Sequence, residues 1–473
     1  MSKVSSVMNI AQRSMMNAQT GLQTVSHNIA NKNTEGYTRQ RLEIQSTAPT
    51  GLGKVQIGTG AKTTAVTRTN NPHLEKQIQF EQMKMGFGEG KMAYLNRVEN
   101  IFNEQINKGL NHFMGEFFNA FRELSNYPES LPIRTQVKET AWNMTQDFKR
   151  IDSQMKKIQD EVDNEIVGEI NEVNRMAEEI ADLNQKVESI EITGSVANDH
   201  RDRRDHILKE LGEKINIKYA EVENGKVNVT AGSTIVLVSG YDAAKLSSES
   251  TPEKGLKREG NNDISFQANE RSTKYNVTTQ INGGKLGGML EVRDKVINDI
   301  MSKVDKLAYS MAESINEVHQ MGYDQKSRPA GQFFDLNGPE KGTASRIDIS
   351  DTISRDVSFI AAGLMPDAPA DNRVANVISS LQYKPLLNGE DTLDDFYNGL
   401  VGELSVVTKK SRSLFEHQAE SLSQLKNIRE SISGVSIDEE TVKMIEYQKA
   451  FDASAKLIKT ADEMLDTVIN LKR

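Results

Sequence analysis

The residues best placed to do chemistry lie in one short run, Asp199-His200-Arg201-Asp202-Arg203-Arg204-Asp205-His206. On a helix Asp199, Asp202 and His206 share a face, so two carboxylates and an imidazole could meet a divalent metal there. The same residues also read as an ion-paired helix start, with Asp favouring the positive N-terminal dipole and Arg neutralising the Asp. One segment supplies too few ligands and no second cluster answers it, which favours the ion-paired reading. None of the seven histidines stands in an HExxH arrangement, and the absence of cysteine removes thiol catalysis, Cys-based zinc sites and disulfides together. Gly283-Gly284-Lys285-Leu286-Gly287-Gly288 precedes a helix but lacks the spacing and Lys-Ser/Thr ending of a phosphate loop, and it reads instead as a flexible hinge between domains. The sequence therefore nominates no catalytic, cofactor-binding or metal-binding residue. It points away from an enzyme, with no cofactor expected.

The elements around these residues carry more information. The first residues hold an apolar stripe at steps of four and three: Val4, Met8, Ala11, Met15, Ala18, Leu22, Val25 and Ile29. The last residues repeat it with Met444, Tyr447, Phe451, Ser454, Ile458, Ala461, Leu465 and Val468. Such spacing is the seam of a helix meant to pair. Lys3, Arg13 and Lys32 are the only charges before Glu35, and the remaining polar face is Ser, Asn, Gln and Thr. With small residues and Gly21 in its seam, this helix is expected to be poorly formed alone and to order when other protein covers it. The last helix carries Lys443, Glu446, Lys449, Lys456, Lys459, Glu463 and Asp466 off its seam. It is expected to keep a wet face, whereas the first helix, Gln12, Gln19 and Gln23 included, is expected to be enclosed.

Between the ends, Asn71-Pro72 marks a helix start. Residues 94–192 read as two antiparallel helices. Their stripe Phe148, Ile151, Met155, Ile158 and Val162 resumes after extra steps of four at Ile166, Ile170, Val173, Ala177 and Ile180, a coiled-coil stutter. The period then falls to two around Ile215–Tyr219 and Val227–Val229, joined by the hairpin signal Asn224-Gly225. The 473 residues are 37% apolar, 6% aromatic and 26% charged with a net charge of -9, a balance that suits long thin helices and argues against nucleic-acid binding. No run reaches the length of a membrane span, and the start lacks the apolar core of a cleaved signal peptide. The expected fold class is mainly α with a β insertion (α+β). A long antiparallel coiled-coil helical body is formed by the N- and C-terminal regions, and a small β domain is inserted. The expected domains are the terminal helices 1–34 and 434–473; a helical body of 35–200, 285–321 and 371–433 with a short β segment at 41–69; and a β domain at 201–284, with 322–370 as a candidate continuation.

One stretch ties these features to a family. Ser26 to Gln40 contains Asn28-Ile29-Ala30-Asn31, then Thr34, Gly36-Tyr37 and Arg39-Gln40. It resembles the Asn-Ile-Ala-Asn, Thr-x-Gly-Tyr, Arg-Gln motif near the start of bacterial flagellar rod, hook and hook-associated proteins. Leu457 to Leu471 is similar to the closing helix of that family. Gly434 to Glu440, Arg203 to Leu208 and Leu286 to Leu290 resemble segments of its hook–filament junction members. The resemblance covers essentially the whole chain and implies a structural adaptor. Such a protein is exported unfolded by the flagellar type III apparatus without a cleaved signal peptide and assembles outside the cell. The implied partners are further copies of itself in a ring, the hook protein, a second hook–filament junction protein and an export chaperone on the C-terminal region, with no nucleic acid and no membrane insertion. The alternatives are another axial protein of the family or a coiled-coil scaffold or signalling protein.

Overall fold

A computed structural model describes residues 2–52, 55–102, 108–252, 259–269, 271–336, 338–387 and 389–470. Helix α1 (Ser2–Ala30) leads into the paired strands β1 (Gln40–Ser46) and β4 (Ala61–Arg68), with β2 (Thr50–Leu52) and β3 (Val55–Ile57) as a small hairpin between them. Asn71 caps α2 (Pro72–Ile101) by accepting from the backbone N–H groups of His73 and Leu74, and Pro72 fills the first turn, where its missing N–H costs nothing. Next come α3 (Leu110–Asn126) and the 61-residue α4 (Leu131–Glu191), roughly 90 Å long at 1.5 Å per residue. The region expected as two helices is thus the end of α2 followed by two more. The whole stuttered stripe of α4, Phe148 to Ile180, is buried.

Helix α5 (Asn198–Lys214) turns back along α4 and feeds an antiparallel meander: β5 (Ile217–Glu221), β6 (Val227–Ala231), β7 (Ile235–Ser239) and β8 (Asp242–Ala243). Asn224 and Gly225 take left-handed φ values of 65° and 73° in its first turn. Val227, Val229 and Ala231 alternate inward. A second sheet of β9 (Lys245–Pro252), β10 (Glu259–Gln267) and β11 (Tyr275–Asn276) lies against α4. The chain returns through α6 (Gly284–Glu291), a π-helical turn at Val292–Ile297 and α7 (Asn298–Gln320). Residues 322–370 hold β12 (Phe334–Asp335), α8 (Thr343–Arg346), β13 (Asp348–Ile349) and α9 (Asp351–Arg355), packed mainly against α4 and α7. Helices α10 (Arg373–Ser380), α11 (Leu393–Ser433) and α12 (Ile437–Asn470) close the chain.

One buried apolar cluster runs from Met92 to Leu404 and joins α2–α4, both larger sheets and α6–α11. A small satellite of Leu74, Ile78 and Leu422 lies between α2 and α11. The expected glycine hinge is instead a close-packing contact. A Cβ on Gly288 would sit 2.1 Å from the carbonyl oxygen of Phe87, and one on Gly90 of α2 would sit 2.3 Å from that of Lys285. Here the missing side chain serves backbone approach between two helices rather than mobility. The π-helical turn carries Arg293, which is 2% exposed and paired with Asp163 of α4 at 2.5 Å while donating to the carbonyl of Asn262 in β10. It fixes the second sheet to the long helix.

Candidate functional site: the terminal helices and their polar hub

The two terminal stripes close on each other within one chain. Three contacts set the register: Ser454 donates to Ser14 at 2.8 Å, Gly21 lies under the ring of Tyr447, and Asn28 donates to Glu440 at 2.8 Å. Each step is seven residues up α1 and seven down α12, so the pair is antiparallel with a heptad repeat. Ala11, Ala18, Val25, Ser454 and Ala461 are buried. Val4, Met15, Leu22, Ile29, Met444, Tyr447, Phe451, Ile458 and Leu465 are half-buried, and Met8 is exposed. The side chain of Val468 lies outside the described residues. The antiparallel pairing expected of the N- and C-terminal regions is thus present, and it closes within a single chain. A seam of Ala, Gly and Ser lets the backbones approach closely, and the other terminus supplies the surface. Gln12, Gln19 and Gln23 face water in the single chain.

The motif residues meet at the base of this pair. Asn28, 1% exposed, spends its whole amide: its Nδ2 donates to the Gln40 carbonyl and to Glu440, and its Oδ1 accepts from the Gln40 N–H at 3.0 Å and the Tyr37 hydroxyl at 2.7 Å. Asn31 and Thr34 build the turn, Asn31 donating to the His27 carbonyl and Thr34 to Asn31. Gly36 has φ +82°, a left-handed value, with the Cβ of His206 3.0 Å from where its own would be. Arg39 holds Glu440 by Nε and a second guanidinium nitrogen, at 2.8 and 2.7 Å, and its backbone N–H donates to the carbonyl of Ser433. Ile29 is half-buried and Ala30 exposed at the helix end. Glu440 is as buried as Asn28, and a carboxylate so placed is tolerable only when paired and hydrogen-bonded. The motif is thus a hub that welds the end of α1, the start of β1 and the first turn of α12.

The Asp199–Asp205 run completes the hub from the body side. Asp202 accepts from the Thr38 N–H at 2.8 Å and from Arg68 at 2.7 Å, and Asp205 takes the same Arg68 nitrogen at 2.8 Å. Asp199 accepts from the side chain of Gln40 at 2.7 Å. Burial pushes the Asp202 carboxyl up, and Arg68 and the Thr38 N–H pull against it. Burial, with Asp199, Asp202 and Glu440 adding to it, pushes the Tyr37 phenol well above its ordinary range, so it stays a donor. Glu75 shows the opposite balance: burial raises it, but Lys209 and Arg429 outweigh that and hold it below the usual carboxylate range. His206 faces Glu210 at 3.4 Å, away from these carboxylates. Among the described residues no group of three His, Cys, Asp or Glu side chains is placed to hold a metal ion. The run acts as an ion-paired helix start that grips the β1–β4 segment.

Glu440, Arg68, Arg429 and the Glu75–Lys209 pair escaped the sequence reading. Their partners lie far away, 412 residues in the case of Asn28 and Glu440, and no local spacing encodes such a contact. The available signal was a charged residue in the first turn of an otherwise seam-forming helix.

The comparisons agree with this geometry. The family model described as the flagellar hook-associated protein FlgK helical domain matches residues 95–334, just over half of the chain. The model for flagella basal body rod proteins matches 8–38 and that for the FlgEFG rod protein C-terminal region matches 429–471, the two halves of the terminal pair. Flagellar hook-associated protein 1 of Bacillus subtilis (strain 168) is 28% identical over 504 residues, covering 97% of each chain. Its counterpart in Salmonella typhimurium is 22% identical, covering 99% of this chain and all of the relative. The flagellar hook junction protein FlgK from Burkholderia pseudomallei shares the fold, with a TM-score of 0.69 at 13% identity over 76% of this chain and all of that one. Among the described residues no helix is long and apolar enough to cross a membrane. The chain belongs to the flagellar hook-associated protein FlgK family.

Proposed function

We propose that this chain is a structural adaptor of the external bacterial flagellum, a ring of subunits that joins hook to filament and carries out no catalysis. The observation that carries the reading is the terminal pair: two helices matched to rod-protein ends, closed on each other by a small-residue seam and a buried polar hub. The pair keeps Val7, Met16, Val442, Ile445, Leu457 and Met464 in water, apolar surface that neighbouring subunits would cover. The first helix is nearly free of charge and the last is rich in it, from which we assign α1 to contacts with other protein and the outer face of α12 to water inside the ring. The seam residues Val4 to Ile29 and Met444 to Val468 are then the assembly core. Residues 72–433 are the body that the core carries, with the sheets β5–β8 and β9–β11 as its outer lobe. The neighbours we assign are further copies of the chain, the hook protein on one side and a second junction protein on the other. An export chaperone holds the C-terminal region before assembly. A chain without cysteine suits passage in an unfolded state.

The test is deletion of residues 1–34 or of 434–473 in cells that lack the native protein. The expected outcome is loss of attached filaments, with unpolymerised filament subunits shed into the medium. Normal filaments with both deletions would overturn the assignment.

A further inference from the structure

The terminal unit, α1 with β1–β4 and α12, meets the body without sharing an apolar core with it. Neither buried apolar cluster among the described residues contains a side chain from α1, β1–β4 or α12. What crosses the boundary is polar and concentrated. Arg68 reaches Asp202 and Asp205 of α5 at 2.7 and 2.8 Å, Asp202 takes the Thr38 N–H, and Asp199 takes the Gln40 amide. On the other side Arg429 of α11 donates to the carbonyls of Gly36 and Tyr37 at 3.3 and 3.4 Å while Glu75 of α2 holds it at 3.0 Å. Beside these contacts a cavity of about 530 Å³ separates the 32–37 turn from α2, α5 and α11, and charged side chains such as Lys32, Glu35, Glu213 and Lys426 line it.

An apolar interface resists rotation through many small contacts spread over its area. This one is held at a few directional points, with free volume next to them. Arg68 and Asp202 are both nearly buried, so salt screens their attraction weakly. Neutralising Arg68 leaves Asp202 buried without a countercharge, and neutralising Asp202 leaves Arg68 with only the more exposed Asp205. Rotation into the adjacent cavity would return that charge to water, and no core on either side would have to break. We infer that the Arg68–Asp202 pair is an ionic latch that sets the angle between the terminal helix pair and the body. Releasing the latch lets the pair swing while both halves keep their folds. The inference concerns the single chain and does not rest on the flagellar assignment.

Because the chain has no cysteine, paired spin labels can be placed on the full chain through exposed positions. Gln12→Cys with Gln185→Cys spans the joint. Gln12→Cys with Gln448→Cys reports on the terminal pair alone, and Gln185→Cys with Gln424→Cys on the body alone. Pulsed electron resonance should give a narrow distance distribution across the joint in the parent chain. Asp202→Asn, which keeps an acceptor for Thr38, should widen it at least twofold, as should Arg68→Gln, with both control distances unchanged. The latch is refuted if the joint distance stays narrow in both variants or is already as broad in the parent. It is equally refuted if the control pair across α1 and α12 broadens alongside, since Asp202 would then support the fold of the unit and not its angle.

Discussion

The body and the terminal pair both rely on long helices with seven-residue stripes, yet they are stabilised in different ways. Helix α4 buries Phe148, Ile151, Met155, Val162 and Ile166 against other helices and two sheets, and each such side chain contributes roughly 1.5–3 kcal/mol on burial. The α1–α12 seam is made of Ala, Ser, Gly, one buried Val25 and larger residues that are half-buried or exposed. It gains less per contact and depends on a polar hub to fix register and direction. A stripe therefore states that a helix pairs, and the size of its side chains states how firmly. The body has the means to hold its fold alone, whereas the terminal pair retains apolar surface for others to cover.

The strongest way to break this contrast is in the aromatic core of the body. Phe117 is fully buried, with the rings of Phe118, Phe121, Phe333 and Phe334 at 5.1 to 5.8 Å. Phe117→Ala should cost about 4 kcal/mol by denaturant unfolding, without a selective change in the exchange of α1 and α12.

Acid should act next, and again on the body. His319 is fully buried; it donates from Nδ1 to the Gly331 carbonyl at 2.7 Å and accepts the Ala361 N–H at Nε2 at 2.9 Å. Burial, with Arg134 adding to it, pushes the imidazole down to about 4. The unfolded chain takes up this proton near pH 6.5, but the folded chain resists until about pH 4. The stabilisation is complete above pH 6.5 and is lost as the pH falls toward 4, by about 3 kcal/mol in all. His319→Gln, measured by denaturant unfolding across that window, should remove this part of the slope.

Glu440→Gln addresses the hub. It should weaken the terminal pair by about 2 kcal/mol, because Arg39 loses its buried countercharge, and should leave the unfolding midpoint of the body in place. The smallest effect belongs to the seam itself. A Cβ on Gly21 would come 2.6 Å from the Tyr447 ring, so Gly21→Ala should cost the pair about 1 kcal/mol as the ring is displaced. Hydrogen exchange of α12 reads both changes.

What the sequence disclosed follows the range of the interactions concerned. The cap at Asn71-Pro72, the stuttered stripe of α4 and the turn at Asn224-Gly225 depend on neighbours a few residues away, and all are present. The Asn28 to Arg39 motif could be matched to a family, but its meaning as a hub needed Glu440, Asp202 and Arg68, which only the folded chain brings near. Gly283 to Gly288 was misread because a missing side chain signals either freedom or close approach, and the carbonyl of Phe87 decides between them. The pairing of the ends was legible as two matched seams, but its closure within one chain was not. Heptad spacing specifies a partner surface, and nothing in the spacing states that the partner is the other terminus of the same chain.

The central claim is that the body is stable in its own right while the terminal pair is held by a thin seam and a polar hub. Hydrogen exchange of the full, unassembled chain, followed by mass spectrometry, tests it most directly. The account predicts that the amides of α1 and α12 exchange together through a local opening, at least a hundredfold faster than those of α4 between Phe148 and Ile180. Equal protection in the two regions, lost in one cooperative step, would contradict it.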